Sequence, residues 1–263
     1  MSQVDLKEYY KKLWNDVYAI LKPHGFRRKG NNIYLVQENG IVKLIELQKS
    51  QFNSSDWSQF TMNVGLALFE TPVPPDKLHY WFMHFRYHLG ESLEDGFTHQ
   101  FWYHVTFPQP YCWVENGIIR TPAFDMGPYL SKEDIQTSVC ELVTKKALLL
   151  WESVQTHADY LGLMNKSEGL EAPGISMEDL RMLARIYGRE LLPYLEKSLK
   201  NMQEARKHWP SPKPESLMTE AEKRLHEENI ARWEKNRQDL SDLAEELVSA
   251  SCYKANEGEN NGN

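Results

Sequence analysis

Three consecutive cations, Arg27, Arg28 and Lys29, stand directly before Gly30 in the segment GFRRKGNN. Such a run could hold a phosphate or a carboxylate, and the glycine would let the backbone approach closely. In a chain of net charge -7 the plainer reading is a solvated turn whose charges offset nearby acids. Gln48, Lys49 and Ser50 close the alternating run IVKLIELQKS. With Arg28 and Asn63 on neighbouring elements, they could form a polar cluster at one end of a sheet. The candidate binding residues are therefore Arg27, Arg28, Lys29, Gln48, Lys49 and Asn63. Gln48 alternates onto the same face as Val42 and Leu44, where a buried, hydrogen-bonded glutamine is the structural alternative.

Two further constellations are weighed for catalysis. His84 and His88 stand four apart in a segment that reads as a helix, as a pair of zinc ligands would. Phe85 occupies the place of the glutamate in HExxH, and His99 and His104 fall on opposite faces of their strand. Histidines buried in an aromatic layer are the better reading, so no metal and no cofactor is expected. A metal-dependent hydrolase or nuclease is the alternative activity. It would use Glu46 and Lys49, with Arg28, Lys29 and an acid such as Glu70 beside them. Glu46-Leu47-Gln48-Lys49 has one residue too many for the Asp/Glu-x-Lys spacing that serves a divalent ion. No GxSxG, GxxxxGK[ST] or GxGxxG is present, and Cys112 lies in an aromatic strand. No catalytic residue is assigned.

The bulk composition narrows the class. The 41% hydrophobic and 25% charged content over 263 residues is that of a globular protein of one large or two ordinary domains. The negative balance argues against a nucleic-acid or anionic-membrane surface. Three scattered cysteines, Cys112, Cys140 and Cys252, fit a reducing compartment. The charged opening MSQVDLKEYYKKLW does not read as a leader, and no apolar run is long enough to span a bilayer. A cytoplasmic location is expected.

The elements that must position these residues divide the chain. Of the 31 aromatic residues, 26 lie in residues 1–165, which favours a sheet there and helices beyond. Leu6, Tyr10, Leu13 and Val17 mark a first helix, ended by Pro23 and Gly25. A strand from Asn32 to Glu38 leads through Asn39-Gly40, a type I′ hairpin signal, to a strand ending near Gln48. A third strand is expected from Phe60 to Phe69. DKLHYWFMHFRYHLGESL (76–93) reads as a second helix, with Leu78, Phe82, Phe85 and Leu89 along one side. HQFWYHVTF (99–107) alternates as a strand, and Asn116-Gly117 suggests another hairpin. Ser131 caps a helix expected to run to about Tyr160.

The glycine- and proline-containing stretch at 166–176 reads as a linker. Ser176 caps a helical pattern that Pro193 should kink or split. A proline-rich turn at 209–216 separates it from a last helix, about Thr219 to Ser249. Its narrow apolar stripe, Ile230, Trp233, Leu240, Ala244 and Leu247, is that of a helix pairing with one partner. Residues 177–250 thus read as a helical hairpin, and residues 251–263 as a disordered tail.

The stretch GFRRKGNNIYLVQENGIVKLIELQKSQFNSSDWSQFTMNVGLAL resembles the bacterial domain-of-unknown-function 4304 family. The matching positions are Phe26, Arg28, Lys29, Gly30 and Asn31, then Gln48, Lys49 and Ser50, then Phe60, Thr61, Asn63 and Gly65. The resemblance covers about residues 5–160, is strongest at 21–69, and implies a bacterial, cytoplasmic α+β domain. It implies no activity. The whole reads as an α+β protein: an N-terminal helix packed on a mainly antiparallel sheet over residues 1–165, followed by an all-helical hairpin. The expected function is a non-catalytic protein-binding module. Its immunity or defence-accessory character rests on fold-level analogy. A protein partner is expected, with Ile230, Trp233, Leu240 and Leu247 as the candidate partner-helix face.

Overall fold

The computed structural model describes residues 6–49, 51, 57–70, 73–75, 77–89, 103–106, 113–115, 118–120, 132–166, 175–207 and 218–259. The chain divides into two compact units, Met1–Gly174 and Ile175–Asn263.

The first unit is α+β. Helix α1 (Leu6–Leu21) buries Tyr9, Tyr10, Leu13, Trp14, Val17 and Leu21, the face its spacing defines. A 3₁₀ turn containing Pro23 ends it, and Gly25 closes that turn at φ 86°. Strands β1 (Arg27–Lys29), β2 (Asn32–Val36), β3 (Ile41–Lys49), β4 (Trp57–Leu68) and β5 (Phe85–His88) follow as an antiparallel sheet in sequence order. Strand β6 (Tyr103–Thr106) pairs with the first residues of β4, on from where β5 ends. Strands β7 (Trp113–Glu115) and β8 (Ile118–Arg120) form a separate antiparallel pair. The β2–β3 turn is wider than the two-residue form expected. Gln37 and Ile41 pair across it, leaving Glu38, Asn39 and Gly40 as a three-residue loop with Gly40 at φ 85°. A side chain at Gly40 would lie 2.1 Å from the Phe69 carbonyl oxygen, so the turn is locked against the end of β4.

Residues opposite each other in an antiparallel ladder share a face. One face carries Ile33, Ile45, Leu47, Phe60, Met62, Val64, Leu66 and Phe85, all buried. Helices cover it. The Tyr10 ring meets Phe60 edge-on, and its hydroxyl is 2.6 Å from the Ser58 hydroxyl. Helix α2 (Lys132–Leu142) passes through a π-helical stretch, Val143–Leu148, into α3 (Leu149–Glu152). Helix α4 (His157–Lys166) then starts afresh. The single helix expected over 131–160 is thus broken at Ser153–Thr156. The reason is a capping box: the Asp159 carboxylate accepts from the Thr156 N–H, and the Thr156 hydroxyl accepts from the Asp159 N–H.

Lys43 is buried on this helix-covered face and donates to the Trp151 carbonyl over 2.5 Å. Burial pushes its pKa down to about 8, against the pull of Glu152 and Asp159. Between pH 8 and the unfolded value of 10.5, the unfolded chain holds a proton that the fold does not. Stability should therefore rise with pH across that interval, by at most about 3 kcal/mol. Urea denaturation from pH 7 to 9.5 should show a steeper rise in the wild type than in Lys43→Met, where only the smaller contribution of Lys49 is left. Equal slopes would exclude Lys43 as its origin.

Among the described residues, the opposite face of the sheet is covered by an extended strap. Residues 76–93 do not form the helix their apolar spacing suggests. A strap crosses the sheet through a 3₁₀ turn at Tyr80–Phe82 and then becomes β5. Phe85, Tyr87 and Leu89 satisfy a period of two as well as Leu78, Phe82, Phe85 and Leu89 satisfy 3.6. The open edge of β4 decides between them, because aromatic-rich sequence suits a pleated surface. Leu78, Tyr80 and Met83 pack on Tyr34, Val42, Leu44 and Ala67 in a second small core. Gly65 makes this possible: a Cβ there would lie 2.2 Å from Met83 Cγ.

The second unit is all-helical. Ser176 and Asp179 form a full capping box on α5 (Met177–Tyr187). A 3₁₀ turn, Gly188–Leu191, separates it from α6 (Leu192–Lys207), with Pro193 in the first turn of α6, as a split there requires. Helix α7 (Glu220–Glu259) packs on α5 and α6 and runs beyond the Ser249 limit expected. Leu240 and Leu243 are buried, while Ile230, Trp233 and Leu247 are half-buried. The Arg206 guanidinium of α6 lies 5.9 Å from the Trp233 ring. The stripe proposed as a partner face is thus engaged within its own unit. Among the described residues, no helix is long and apolar enough to cross a membrane. Ser50, His99, Asn116-Gly117, Ser131, 167–174, 209–216 and 260–263 lie outside the described residues.

Candidate functional site

The ladder register assembles a polar row on the strap-covered face. Lys29 pairs with Asn32, Asn32 with Glu46, Glu46 with Asn63 and Asn63 with His88. Gln48 and Thr61 pair one step further along the same face. Two diagonal contacts knit the row. Asn63 donates through Nδ2 to Gln48 Oε1 at 2.7 Å, and Thr61 Oγ1 lies 3.3 Å from His88 Nδ1. Thr61, Asn63 and His88 are buried. The Asn63 side-chain oxygen Oδ1 is buried and has no hydrogen-bond partner among the described residues. Burial, with Arg86 beside it, lowers the His88 pKa to about 4, so the ring is neutral at pH 7.

The row also anchors the strap. Asn32 donates to the Leu78 carbonyl at 2.8 Å, and the Glu46 carboxylate accepts from the Tyr80 N–H at 3.1 Å. His79 stands 3.6 Å from the same carboxylate. The Tyr80 ring stacks towards His88, 5.7 Å between centroids. Arg86 lies 5.8 Å from the Tyr80 ring and 5.5 Å from the Trp81 ring, and it donates to the Trp81 carbonyl. Tied down on these sides, the strap presents Trp81 and Phe82 outward. They are 55% and 62% exposed, and His79 packs edge-on to Phe82.

The six candidate binding residues do not meet at one point. Arg27, Lys29, Gln48 and Asn63 share the strap-covered face. Arg28 and Lys49 lie on the helix-covered face. Arg28 bonds to Asn15 of α1 at 2.7 Å, and the Lys49 ammonium sits 4.2 Å over the Tyr10 ring, where burial lowers its pKa. The expected basic turn is in fact an edge strand, β1, with all three residues exposed. Strand parity enforces the separation, since adjacent residues point to opposite faces.

The same parity divides the hydrolase set. Glu46 faces the strap and Lys49 the helices, so the two cannot serve one ion. Glu70 lies seven residues past Asn63, roughly 20 Å along the strand. The histidine pair also changes character. His84 and His88 belong to an extended segment, where four residues span about 13 Å instead of one helical turn. His84 Nδ1 is 2.5 Å from the Tyr160 hydroxyl, and His88 contacts Thr61. Among the described residues no three metal-ligating side chains come together.

Sequence reasoning missed Thr61 and Arg86 as site residues, and Trp81 and Phe82 as a surface. The signal for Thr61 was present, because it shares parity with Asn63. The strap residues gave none, since their placement depends on the long-range pairing of β5.

The positions quoted for the family resemblance now have physical roles. Phe60 fills the helix-covered core, Thr61 and Asn63 belong to the polar row with Gln48, and Gly65 seats the strap. No curated protein and no solved structure matches the chain. Residues 17–115, which hold β1 to β5, the polar row and the strap, match the model of the family described as Domain of unknown function (DUF4304).

Proposed function

We propose that this chain is a cytoplasmic, bacterial, non-catalytic protein-binding module, and that its partner docks on the strap. The observation that carries the reading is the pair of neighbouring exposed aromatics, Trp81 and Phe82, on a backbone held from beneath by Tyr80, Asn32 and Glu46. Interface energy concentrates in Trp, Tyr and Arg side chains, and rigid anchors lose little entropy on binding. Trp81 and Arg86 supply two of these residue types at one place, with Tyr80 buried beneath them. The polar row underneath reads as the strap's anchorage, since its Asn32 and Glu46 side chains bond the strap backbone. An immunity or defence-accessory role is the biological form of such a module that we favour, by analogy of architecture alone.

The test is capture of partners from a lysate of the native host with the wild-type chain and with a Trp81→Ala/Phe82→Ala variant. A partner retained by the wild type should fall at least tenfold with the variant, whose thermal midpoint stays within about 2 °C because both side chains are exposed. An identical captured set from the two chains would remove the strap as the docking site.

A further inference from the structure

We infer that the strap surface takes an acidic segment of a protein partner, with apolar side chains on the two aromatics and carboxylates on the cations around them. This rests on the protein-binding reading and adds the partner's chemistry to it. The argument is one of charge against background. The chain carries a net charge of -7, yet the described residues on the strap and on the sheet face beneath it include four cations. Arg86 lies beside Trp81, and its guanidinium is presented at the strap's β5 side. Lys77 is exposed on the strap itself, two residues before the half-exposed His79. At the other side, Lys29 pairs with Asn32, whose amide holds the Leu78 carbonyl. Lys29 is exposed, and Arg27 lies on the same face of the same edge strand.

Among the described residues, the acid bonded to the strap is Glu46. Its side chain is only 14% exposed, and its Oε2 is engaged by the Tyr80 N–H with His79 close by. It therefore offsets little of the field in front of the strap. The result is a positive, aromatic patch on a negative protein, a pattern that steers a negatively charged partner and rejects others. Single-stranded nucleic acid would also match cations and aromatic faces. An acidic peptide is favoured because, among the described residues, the cations on this face are four, Arg86 at Trp81, Lys77 on the strap and Arg27 and Lys29 on β1, too few and too separate to track a phosphate backbone, and because the chain as a whole is acidic.

Binding is to be measured by fluorescence anisotropy with the full chain and three labelled 15-residue probes. One is a peptide of Glu and Asp interspersed with Leu and Phe. The second is its Gln and Asn counterpart. The third is oligo-dT. The acidic peptide should bind at least tenfold more tightly than the neutral one. Its binding should fall at least fivefold in Arg86→Gln and in Lys29→Gln/Lys77→Gln, and again when salt rises from 50 to 500 mM, as screening requires. Trp81→Ala should abolish it, and the folded state of each variant is checked by circular dichroism. Equal binding of the two peptides, lost in Trp81→Ala, would overturn the acidic preference and leave the docking site standing. Oligo-dT binding without peptide binding would overturn both and make the strap a nucleic-acid face. Binding of none of the probes would overturn the acidic preference, with the strap then judged by the lysate capture.

Discussion

Truncation of Trp151 to alanine is expected to cost about 4 kcal/mol, the range for a buried tryptophan that leaves a cavity behind. The side chain is 1% exposed on the helix-covered face of the sheet. Its ring packs on Phe26 at 4.9 Å between centroids, and its indole N–H donates to the Gly65 carbonyl at 3.3 Å. The Trp151 backbone carbonyl accepts from Lys43 and from Gln155. Those two bonds survive the substitution, so the loss reports the ring alone. Trp151→Phe should recover more than half of the stability, since it restores most of the volume and gives up one hydrogen bond worth about 1 kcal/mol. Urea denaturation followed by circular dichroism measures both. A cost below about 1.5 kcal/mol for the alanine variant would mean that the ring is not a keystone between helices and sheet. A total stability of about 5–15 kcal/mol makes the expected loss large enough to lower the yield of folded protein.

Acidification should destabilise the first unit through His88. Its folded-state pKa, about 4, lies below the ordinary 6.5, with burial the main cause and the Arg86 charge the second. Between these values the unfolded chain binds a proton that the folded chain refuses. The contribution of His88 is therefore fully present above pH 6.5 and is lost as pH falls towards 4. The full shift corresponds to about 3 kcal/mol. Denaturation midpoints of the wild type and His88→Asn should diverge in slope over this window, the wild type losing more stability per pH unit. The variant keeps an acceptor that the Thr61 hydroxyl can reach, so its packing changes little at neutral pH. Parallel curves would show that His88 is protonated without penalty, and that the Tyr80–His88 contact is not as dry as its burial implies. The prediction bears on function because the strap rests on this ring. Loss of strap order on protonation should appear as increased solvent quenching of Trp81 fluorescence over the same pH range.

Part of the candidate site is legible in the amino-acid sequence. The placing of Gln48 and Asn63 on one face follows from the alternation of two antiparallel strands, which lets their side chains bond diagonally. The exclusion of Lys49 from that face is legible too, since residue 49 must point opposite to residue 48. The expected meeting of Arg28 and Lys49 with Gln48 fails on this parity. The strap is not legible. Residues 78–89 satisfy helical and strand periods together, and local sequence contains nothing that chooses. The break at Ser153–Thr156 is signalled by a Thr-x-x-Asp capping box inside a long helical pattern. It is masked by the continuity of apolar residues on either side.

Sequence alone determined the α+β class, the helical second unit, the capping at Ser176, the split near Pro193 and the family positions from Phe26 to Gly65. Each of these depends on local chemistry: period, caps, proline and glycine. Tertiary structure alone decided that β5 fills the open edge of β4, that Gly65 leaves room for Met83, and that Trp81 and Phe82 are carried out to the surface above a row of buried polar groups. These depend on contacts between residues about 20 to 50 apart in the chain, whose free energy no local window contains.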